Sequence, residues 1–306
     1  MEVSFFIIWY HFFIYCSVKK YLSYHTGMRS DYAYKKEWYR EILENPESFR
    51  VEPFRICGNL YFVGNKDSSS LIVDTGEGLM LFDTGYPHIQ DMLLDSIKEM
   101  GFDVKDIRMI FHTHGHFDHF GATKRIKELS GAVACISKVD AALLRDRPDM
   151  ALCDYLPGVK TDFFTPDKEL EDGEIVSLGI TKVRCILTGG HTPGAMSYEI
   201  TVRDGDKDYK ALLCGGVGFN TLNHTFIEET GLNWRGDFER SLKIWKSLKP
   251  DIYLGNHTTQ SQTLERMKAG RSFVDREAWS EFIARIDKNY HEMLEDEIRE
   301  EGYYIQ

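Results

Sequence analysis

The chain of 306 residues has fewer basic than acidic residues and no closely spaced cysteine pairs. It carries 37 lysines and arginines against 48 aspartates and glutamates, giving a net charge of −11. This argues against nucleic acid as the main partner, because phosphate binding needs a basic surface. The six cysteines are scattered without a CxxC motif, and several lie in apolar strand-like runs, where cysteine acts as a small hydrophobic residue. We therefore expect reduced cysteines, which favours a reducing compartment.

Long hydrophobic runs are also scarce. The apolar stretch from Phe5 to Val18 is too short to span a bilayer comfortably, and its flanking charges reverse the order of a secretory signal. Three interpretations are open: an inverted anchor, a degenerate signal, or translated sequence upstream of a true start at Met28. We favour the last, with residues 1–27 as a hydrophobic extension and residues 28–306 as a single domain. A cytoplasmic location follows, unless the apolar stretch is a real signal that leads to secretion or anchoring.

No linker rich in proline, glycine or serine divides the chain, and no short repeat is evident. The first half predicts an antiparallel meander of three short strands, followed by alternating helices and strands. The second half predicts further strands and two long helices. Two sheets covered by helices on their outer faces would fit this pattern, which belongs to the α/β (α+β) class. The expected strands are residues 59–63, 71–73, 79–82, 107–111, 132–136, 174–176, 183–187, 196–202, 211–214 and 252–254.

Residues 112–119 read HTHGHFDH, with four histidines and one aspartate in eight positions. One face of a helix or strand could not present all of them, so we expect a loop or strand-to-helix turn after the apolar strand 107–111. Imidazole and carboxylate are ligands that suit zinc and neighbouring divalent metals. Burying so many titratable groups beside an apolar strand would be costly without something to bind them. This stretch therefore predicts a metal site.

Two further histidines, His191 and His257, lie in glycine-flanked loops at the ends of predicted strands. One zinc takes about four ligands, and a catalytic site leaves one position for water. Six candidate ligands therefore divide into two sets of three, for two metals about 3.5–4 Å apart. The candidates are His114, His116, Asp118, His119, His191 and His257.

These motifs resemble the metallo-β-lactamase fold superfamily. The resemblance rests on His114-x-His116-x-Asp118-His119, on the GHTPG segment around His191 and on Gly-Asn-His257, and it covers about residues 52 to 295. Within the superfamily, the chain is most similar to the third subclass of metallo-β-lactamases, whose second metal is held by Asp, His and His. The similar features include GNLYFVG at 58–64, FDTG at 82–85 and DAALL at 140–144.

The resemblance implies a four-layer αββα sandwich with two zinc ions per chain at one edge, between the sheets. It assigns one zinc to a first triad, His114, His116 and His191. The other zinc belongs to a second triad, Asp118, His119 and His257. We also expect Asp83 to support the site by hydrogen bonding, and His112 is a candidate for a similar role.

Two departures from the family pattern bear on the substrate. Many other hydrolases of the superfamily have a metal-bridging aspartate where this chain has Gly215, and its loss favours the β-lactamase branch. Serines that help third-subclass enzymes hold the β-lactam carboxylate align with Gly216 and Gly218, and Asn220 or backbone N–H groups would have to replace them. Cys214, near the position of a cysteine ligand in the first subclass, is expected to be an inert strand residue.

The expected function is zinc-dependent hydrolysis of a β-lactam ring, a cyclic amide, by a hydroxide held at two zinc ions. Asp118 and His257 are the expected catalytic residues, with Asp118 orienting the nucleophile. The alternative is a lactone, thioester or other ester hydrolase on the same site. A redox or metal-binding protein is disfavoured, because flavodiiron-like centres use Glu where this chain has His116. A small-molecule substrate is the expected partner, with no nucleic acid or stable membrane partner; the sequence does not indicate the oligomeric state.

Overall fold

The computed structural model describes residues 39–304, with side chains to residue 299. The predicted N-terminal extension, residues 1–27, lies outside the described residues, so that boundary stays a prediction. The chain divides into two compact units, residues 1–48 and 49–306. In the first unit, residues 39–44 are helical (α1). Among the described residues, no helix is long and apolar enough to cross a membrane.

The remaining elements follow the predicted order closely. The strands are β1 Phe54–Cys57, β2 Leu60–Phe62, β3 Leu71–Asp74, β4 Leu79–Phe82, β5 Ile107–Phe111, β6 Val133–Ser137, β7 Lys168–Leu170, β8 Ile175–Leu178, β9 Thr181–Leu187, β10 Met196–Asp204, β11 Lys207–Cys214 and β12 Ile252–Gly255. The α-helices are α2 Gln90–Glu99, α3 Phe117–Phe120, α4 Thr123–Ser130, α5 Lys138–Asp146, α6 His224–Thr230, α7 Arg235–Ser247, α8 Thr263–Lys268 and α9 Ala278–Tyr304. Short 3₁₀ helices span Pro46–Phe49, Val104–Asp106, Pro148–Ala151 and Cys153–Tyr155.

Within the described residues, the strands form two sheets. The first runs in the order β1-β2-β3-β4-β5-β6-β7, antiparallel from β1 to β4 and parallel from β4 to β7. The second runs β12-β11-β10-β9-β8, with β12 parallel to β11. The predicted meander β2-β3-β4 is confirmed, and the structure adds β1 at its edge. The short charged strand β7 was not predicted.

Alternating burial along the strands produces the layers. In β4, Met80 and Phe82 face the other sheet, whereas Leu79 and Leu81 pack beneath α2 and α4. In β11, Leu213 faces inward, whereas Leu212 packs against helices α7 and α9. Since side chains alternate between the faces of a strand, each sheet buries one face against the other sheet and one against helices. The predicted αββα fold is confirmed.

Tyr198 on β10 ties the two sheets together below the candidate site. Its ring packs edge-on against Phe82 and Phe111 of the first sheet, with centroids 5.6 and 5.5 Å away. Its hydroxyl donates a 2.6 Å hydrogen bond to the carbonyl oxygen of His112. That carbonyl begins the histidine-rich turn, so the tie connects the packing of the core to the position of the site.

Tyr198→Phe should lower the free energy of unfolding by about 1–3 kcal/mol, because it removes the buried donor to the His112 carbonyl. Urea unfolding of the two proteins measures the difference. Tyr61→Phe, which changes a partly exposed ring on the first sheet, is the matched control and should stay within about 0.5 kcal/mol of the starting protein. Equal losses for the two variants would contradict the proposed tie.

Candidate metal centre

The six predicted ligands come from strand ends that meet at one edge of the sandwich. The segment 112–119 follows β5, His191 follows β9, and His257 follows β12. The segment is a turn that leads into α3, which begins at Phe117, as expected from its sequence. An isolated bridge pairs Ser68 with His257 and joins the loop after β2 to the loop after β12. All six residues are brought together here.

The first triad consists of three imidazoles that face one another. Their ring centroids lie 4.6 to 4.7 Å apart, and one nitrogen of each lies within 4.8 Å of the others. His114 Nε2 is 3.0 Å from His116 Nδ1. His191 Nδ1 bonds the carbonyl oxygen of Gly218 at 3.0 Å, which leaves Nε2 for the triad.

The second triad has the spacing that a tetrahedral metal site requires. Asp118 Oδ2 lies 3.3 Å from His119 Nε2 and 3.5 Å from His257 Nε2, and the two imidazole nitrogens are 3.3 Å apart. Three ligands of a tetrahedral zinc with bonds of about 2.0–2.1 Å lie about 3.3–3.4 Å apart. The donor set and its spacing therefore fit a zinc-like cation.

The two triads adjoin each other. A nitrogen of His114 also lies within 4.8 Å of the donor atoms of Asp118 and His119. The ring centroids of His114 and His119 are 4.2 Å apart. The arrangement can therefore hold two cations side by side, and the side chain of His257, 26% exposed, lies on its open side.

Asp67 is a carboxylate of this site that the sequence did not reveal. Its Oδ1 lies 3.4 Å from His257 Nδ1, and its Oδ2 accepts a hydrogen bond from the Tyr86 hydroxyl. Asp67, Asp118 and His257 also form a group whose donor atoms lie within 4.8 Å of one another. A carboxylate behind a metal-binding imidazole fixes the tautomer of the ring, which is the role this contact supports for His257.

Asp83 supports the second triad, as the sequence indicated. Its carboxylate accepts hydrogen bonds from Thr113 N and Thr113 Oγ1, both at 2.7 Å, and from His119 Nδ1 at 2.8 Å. The backbone of Asp83 is left-handed, with φ of 51°, which aspartate tolerates better than most residues. His112, the other candidate for a supporting role, lies close to the same triad: its ring hydrogen-bonds the backbone of His119, its Nε2 bonds Thr123 Oγ1 at 3.2 Å, and the ring packs on Phe164.

Burial keeps the first triad neutral. It lowers the pKa of His114 and His116 well below the usual range and that of His191 to about 4. The neighbouring imidazoles of the site, above all His119, add to this effect for His114. Neutral imidazole is the form that binds a metal, so the lone pairs of this triad are available at neutral pH.

The second triad holds protons in the metal-free protein. Burial opposes charge on His119, but Asp118 and Asp83 outweigh it and raise the pKa of His119 to about 10. Burial likewise opposes charge on His257, and Asp67 raises the pKa of that ring. The pKa of Asp118 is low despite its burial, because His119 and His257 favour its charged form. A metal at this triad must therefore displace protons.

The glycines after β11 show which position faces the ligands. A Cβ at Gly215 would meet the backbone of Met196 at 2.9 Å, whereas a Cβ at Gly216 would lie 2.2 Å from His191 Cδ2. Of the two positions, Gly216 is therefore the one that faces a predicted ligand. Any side chain at 216 would displace the His191 ring. Cys214 is buried in the helix-covered core, and burial raises the pKa of its thiol, in keeping with an inert cysteine.

Comparison with known proteins agrees with this geometry. The profile of the metallo-β-lactamase superfamily matches residues 63–268. The chain belongs to the metallo-β-lactamase superfamily. It is 29% identical over 207 residues to the hydroxyacylglutathione hydrolase GloC of Haemophilus influenzae, covering 64% of this chain and 89% of that protein. A hydroxyacylglutathione hydrolase of Maricaulis maris is 32% identical over 110 residues, which are 36% of this chain. Matches to that enzyme and to a protein of Aquifex aeolicus span 34% and 43% of their lengths, less than half of either.

Solved structures similar to this chain include enzymes of the third subclass of metallo-β-lactamases. BJP-1, a subclass B3 metallo-β-lactamase of Bradyrhizobium japonicum, has a TM-score of 0.72 and 25% identity, covering 82% of this chain and 96% of that one. GOB-18 of Elizabethkingia meningoseptica has a TM-score of 0.72 and 29% identity, covering 81% and 94%. The predicted resemblance is confirmed, and the protein is a metallo-hydrolase with His and Asp metal-binding groups.

Metal binding to the metal-free protein should release about one proton or more per chain, because His119 with a pKa of about 10 is protonated at pH 7.5. Apparent affinity should consequently rise about tenfold per pH unit for each proton displaced. Calorimetric titration with Zn²⁺ in buffers of different ionisation enthalpy measures this release. Binding enthalpies that do not depend on the buffer would contradict a protonated His119 in the metal-free protein.

Proposed function

We propose that the protein is a zinc-dependent hydrolase with two Zn²⁺ per chain. The first triad would hold one ion and the second triad the other. The observation that carries the proposal is the 3.3–3.5 Å spacing of the Asp118, His119 and His257 donor atoms beside three neutral imidazoles. Elemental analysis of protein equilibrated with Zn²⁺ tests the count: two ions per chain support the proposal, and one or none contradicts it.

Two zinc ions would supply water of lowered pKa, toward about 7, and a Lewis acid for the carbonyl oxygen. The residues of the chain would orient the reactants. Asp118 is the only carboxylate among the six, so it is suited to accept a hydrogen bond from the attacking water. Its low pKa keeps it ionised and makes it an acceptor rather than a store of protons. His257, on the open side, is the second proposed catalytic residue.

The first substrate class we propose is the β-lactam ring, a strained cyclic amide. It is supported by the likeness to subclass B3 enzymes over about four-fifths of the chain. It is supported as well by Gly215, which stands where many other hydrolases of the superfamily have a metal-bridging aspartate. A role in antibiotic resistance would follow only from activity of this kind.

A lactone, thioester or other ester is the second substrate class. Relatives named hydroxyacylglutathione hydrolases align with this chain, one of them over 89% of its length. The close approach of Gly216 to His191 supports this class too. The Cβ of a serine at position 216 would lie 2.2 Å from His191 Cδ2, so the serine found in third-subclass enzymes does not fit here unless His191 moves. A hydroxyl for the β-lactam carboxylate therefore has no room at that position, and Asn220 would have to replace it.

A hydrolysis panel separates the two classes. Nitrocefin represents the β-lactams, and it is set beside a homoserine lactone and an acylated glutathione at equal concentrations of zinc-loaded enzyme. Turnover of nitrocefin supports the first class. Turnover of the lactone or thioester without nitrocefin contradicts the first class and supports the second. Iron with redox activity would contradict both.

His191→Ala and His257→Ala should each abolish hydrolysis while leaving the fold intact, because each removes one ligand from a different triad. Far-ultraviolet circular dichroism checks the fold, and initial rates check the activity. His224→Ala is the matched control, since His224 is a partly exposed histidine paired with Glu228 at 3.0 Å, and the variant should keep its activity. Full activity after either ligand substitution would refute the assignment of two triads.

A further inference from the structure

A fully buried carboxylate outside the six ligands joins the two loops of the first triad. Asp140, in helix α5, is 0% exposed. Its Oδ2 accepts hydrogen bonds from Gly115 N at 2.9 Å and Thr192 Oγ1 at 2.7 Å. Its Oδ1 accepts from Gly194 N at 2.8 Å. Gly115 lies between two ligands of the triad and Thr192 follows the third, so one carboxylate binds both ligand-bearing loops.

The start of helix α5 is shaped to hold these loops. The Ser137 side chain caps the helix by accepting from Asp140 N at 3.0 Å. A Cβ on Gly194 would lie 2.3 Å from Ser137 Oγ, and one on Gly115 would lie 3.1 Å from Leu144. Both loops therefore rest directly on the helix, and neither can shift toward it.

The charge of Asp140 is satisfied by the loops. Burial raises its pKa to about 6, and the bonds from Thr192, Gly115 and Gly194 act against that rise. The carboxyl is therefore ionised at neutral pH. An ionised carboxylate in the interior is expensive unless hydrogen bonds satisfy it. Here those hydrogen bonds come from the two loops. Moving the loops apart would therefore leave a buried carboxylate without partners, which is unfavourable.

We propose that Asp140 is a positioning residue that sets the separation of the two loops of the first triad. It touches none of the six ligands and acts through Gly115 and the 192–194 turn. Asp83 has the corresponding role for the second triad, where it bonds His119 directly. The inference rests on the proposed function insofar as the triads hold metals. The hydrogen bonds to Asp140 themselves do not depend on a metal.

Asp140→Asn is the informative substitution, because it keeps size and shape but turns one acceptor into a donor. In either orientation, the new amide N–H faces a backbone N–H of Gly115 or Gly194. We expect the first triad to bind zinc about 10–100-fold more weakly. At a free zinc concentration between the original and the weakened dissociation constants, the zinc content should therefore fall from two ions per chain to one. Asp251→Asn is the control, since Asp251 also accepts a backbone N–H, from Lys210 at 3.0 Å, and it should keep both ions.

Double variants show which ion is lost. At that free zinc concentration, Asp140→Asn with His257→Ala should hold no zinc, because the first change weakens one triad and the second removes a ligand from the other. Asp140→Asn with His191→Ala should hold one ion, as His191→Ala alone does. An Asp140→Asn protein that binds two ions with unchanged affinity would overturn the inference. Should that variant not fold, Thr192→Val removes only one of the three bonds, and unchanged zinc affinity there would overturn it equally.

A readout on the metal-free protein keeps this inference distinct from the proposed function. Amide hydrogen exchange of Gly115 and Gly194, followed by NMR, should become about tenfold faster or more in Asp140→Asn and stay unchanged in Asp251→Asn. Protected amides in Asp140→Asn would overturn the positioning role whatever the metal content. Faster exchange in a protein whose unmodified form binds no zinc would support the loop contacts and overturn the proposed function.

Discussion

The backbone at the start of the histidine-rich turn is hydrogen-bonded to both sheets, and the metal centre depends on this arrangement. His112 N donates to Cys135 O of the first sheet, while the Tyr198 hydroxyl of the second sheet donates to His112 O. Thr113 N donates to Asp83, and Thr113 O accepts from Met196 N at 2.8 Å. A turn fixed from both sides presents its side chains at one place, so the sandwich itself determines where the ligands meet.

Buried carboxylates give the two triads different electrostatic environments. The first triad consists of neutral imidazoles. Its supporting carboxylate, Asp140, contacts none of them directly and bonds the backbone N–H groups of the loops that carry them. The second contains Asp118 and has Asp83 and Asp67 directly behind its imidazoles. A cation held by the neutral first triad would therefore polarise a carbonyl oxygen more strongly. A cation in the second triad, which contains a carboxylate, is better suited to hold the attacking water.

Much of the fold and the six candidate ligands could be predicted from the sequence, because their signals are local. The alternation of Val183, Cys185 and Leu187 gives a half-buried strand, and four histidines beside one aspartate exceed what a surface turn would carry. Asp67 and Asp140 were not predicted as site residues. Asp67 meets His257 where the loop after β2 packs on the loop after β12. Asp140 looks like an ordinary residue in the first turn of a helix. Their roles arise from long-range contacts that spacing along the chain does not encode.

The central claim is that six side chains form two adjoining metal triads. Anomalous diffraction at the zinc absorption edge, from crystals grown with Zn²⁺, tests it most directly. The account predicts two peaks, one within bonding distance of His114, His116 and His191 and the other within bonding distance of Asp118, His119 and His257. A single peak, or a peak bound by a different set of side chains, would contradict it.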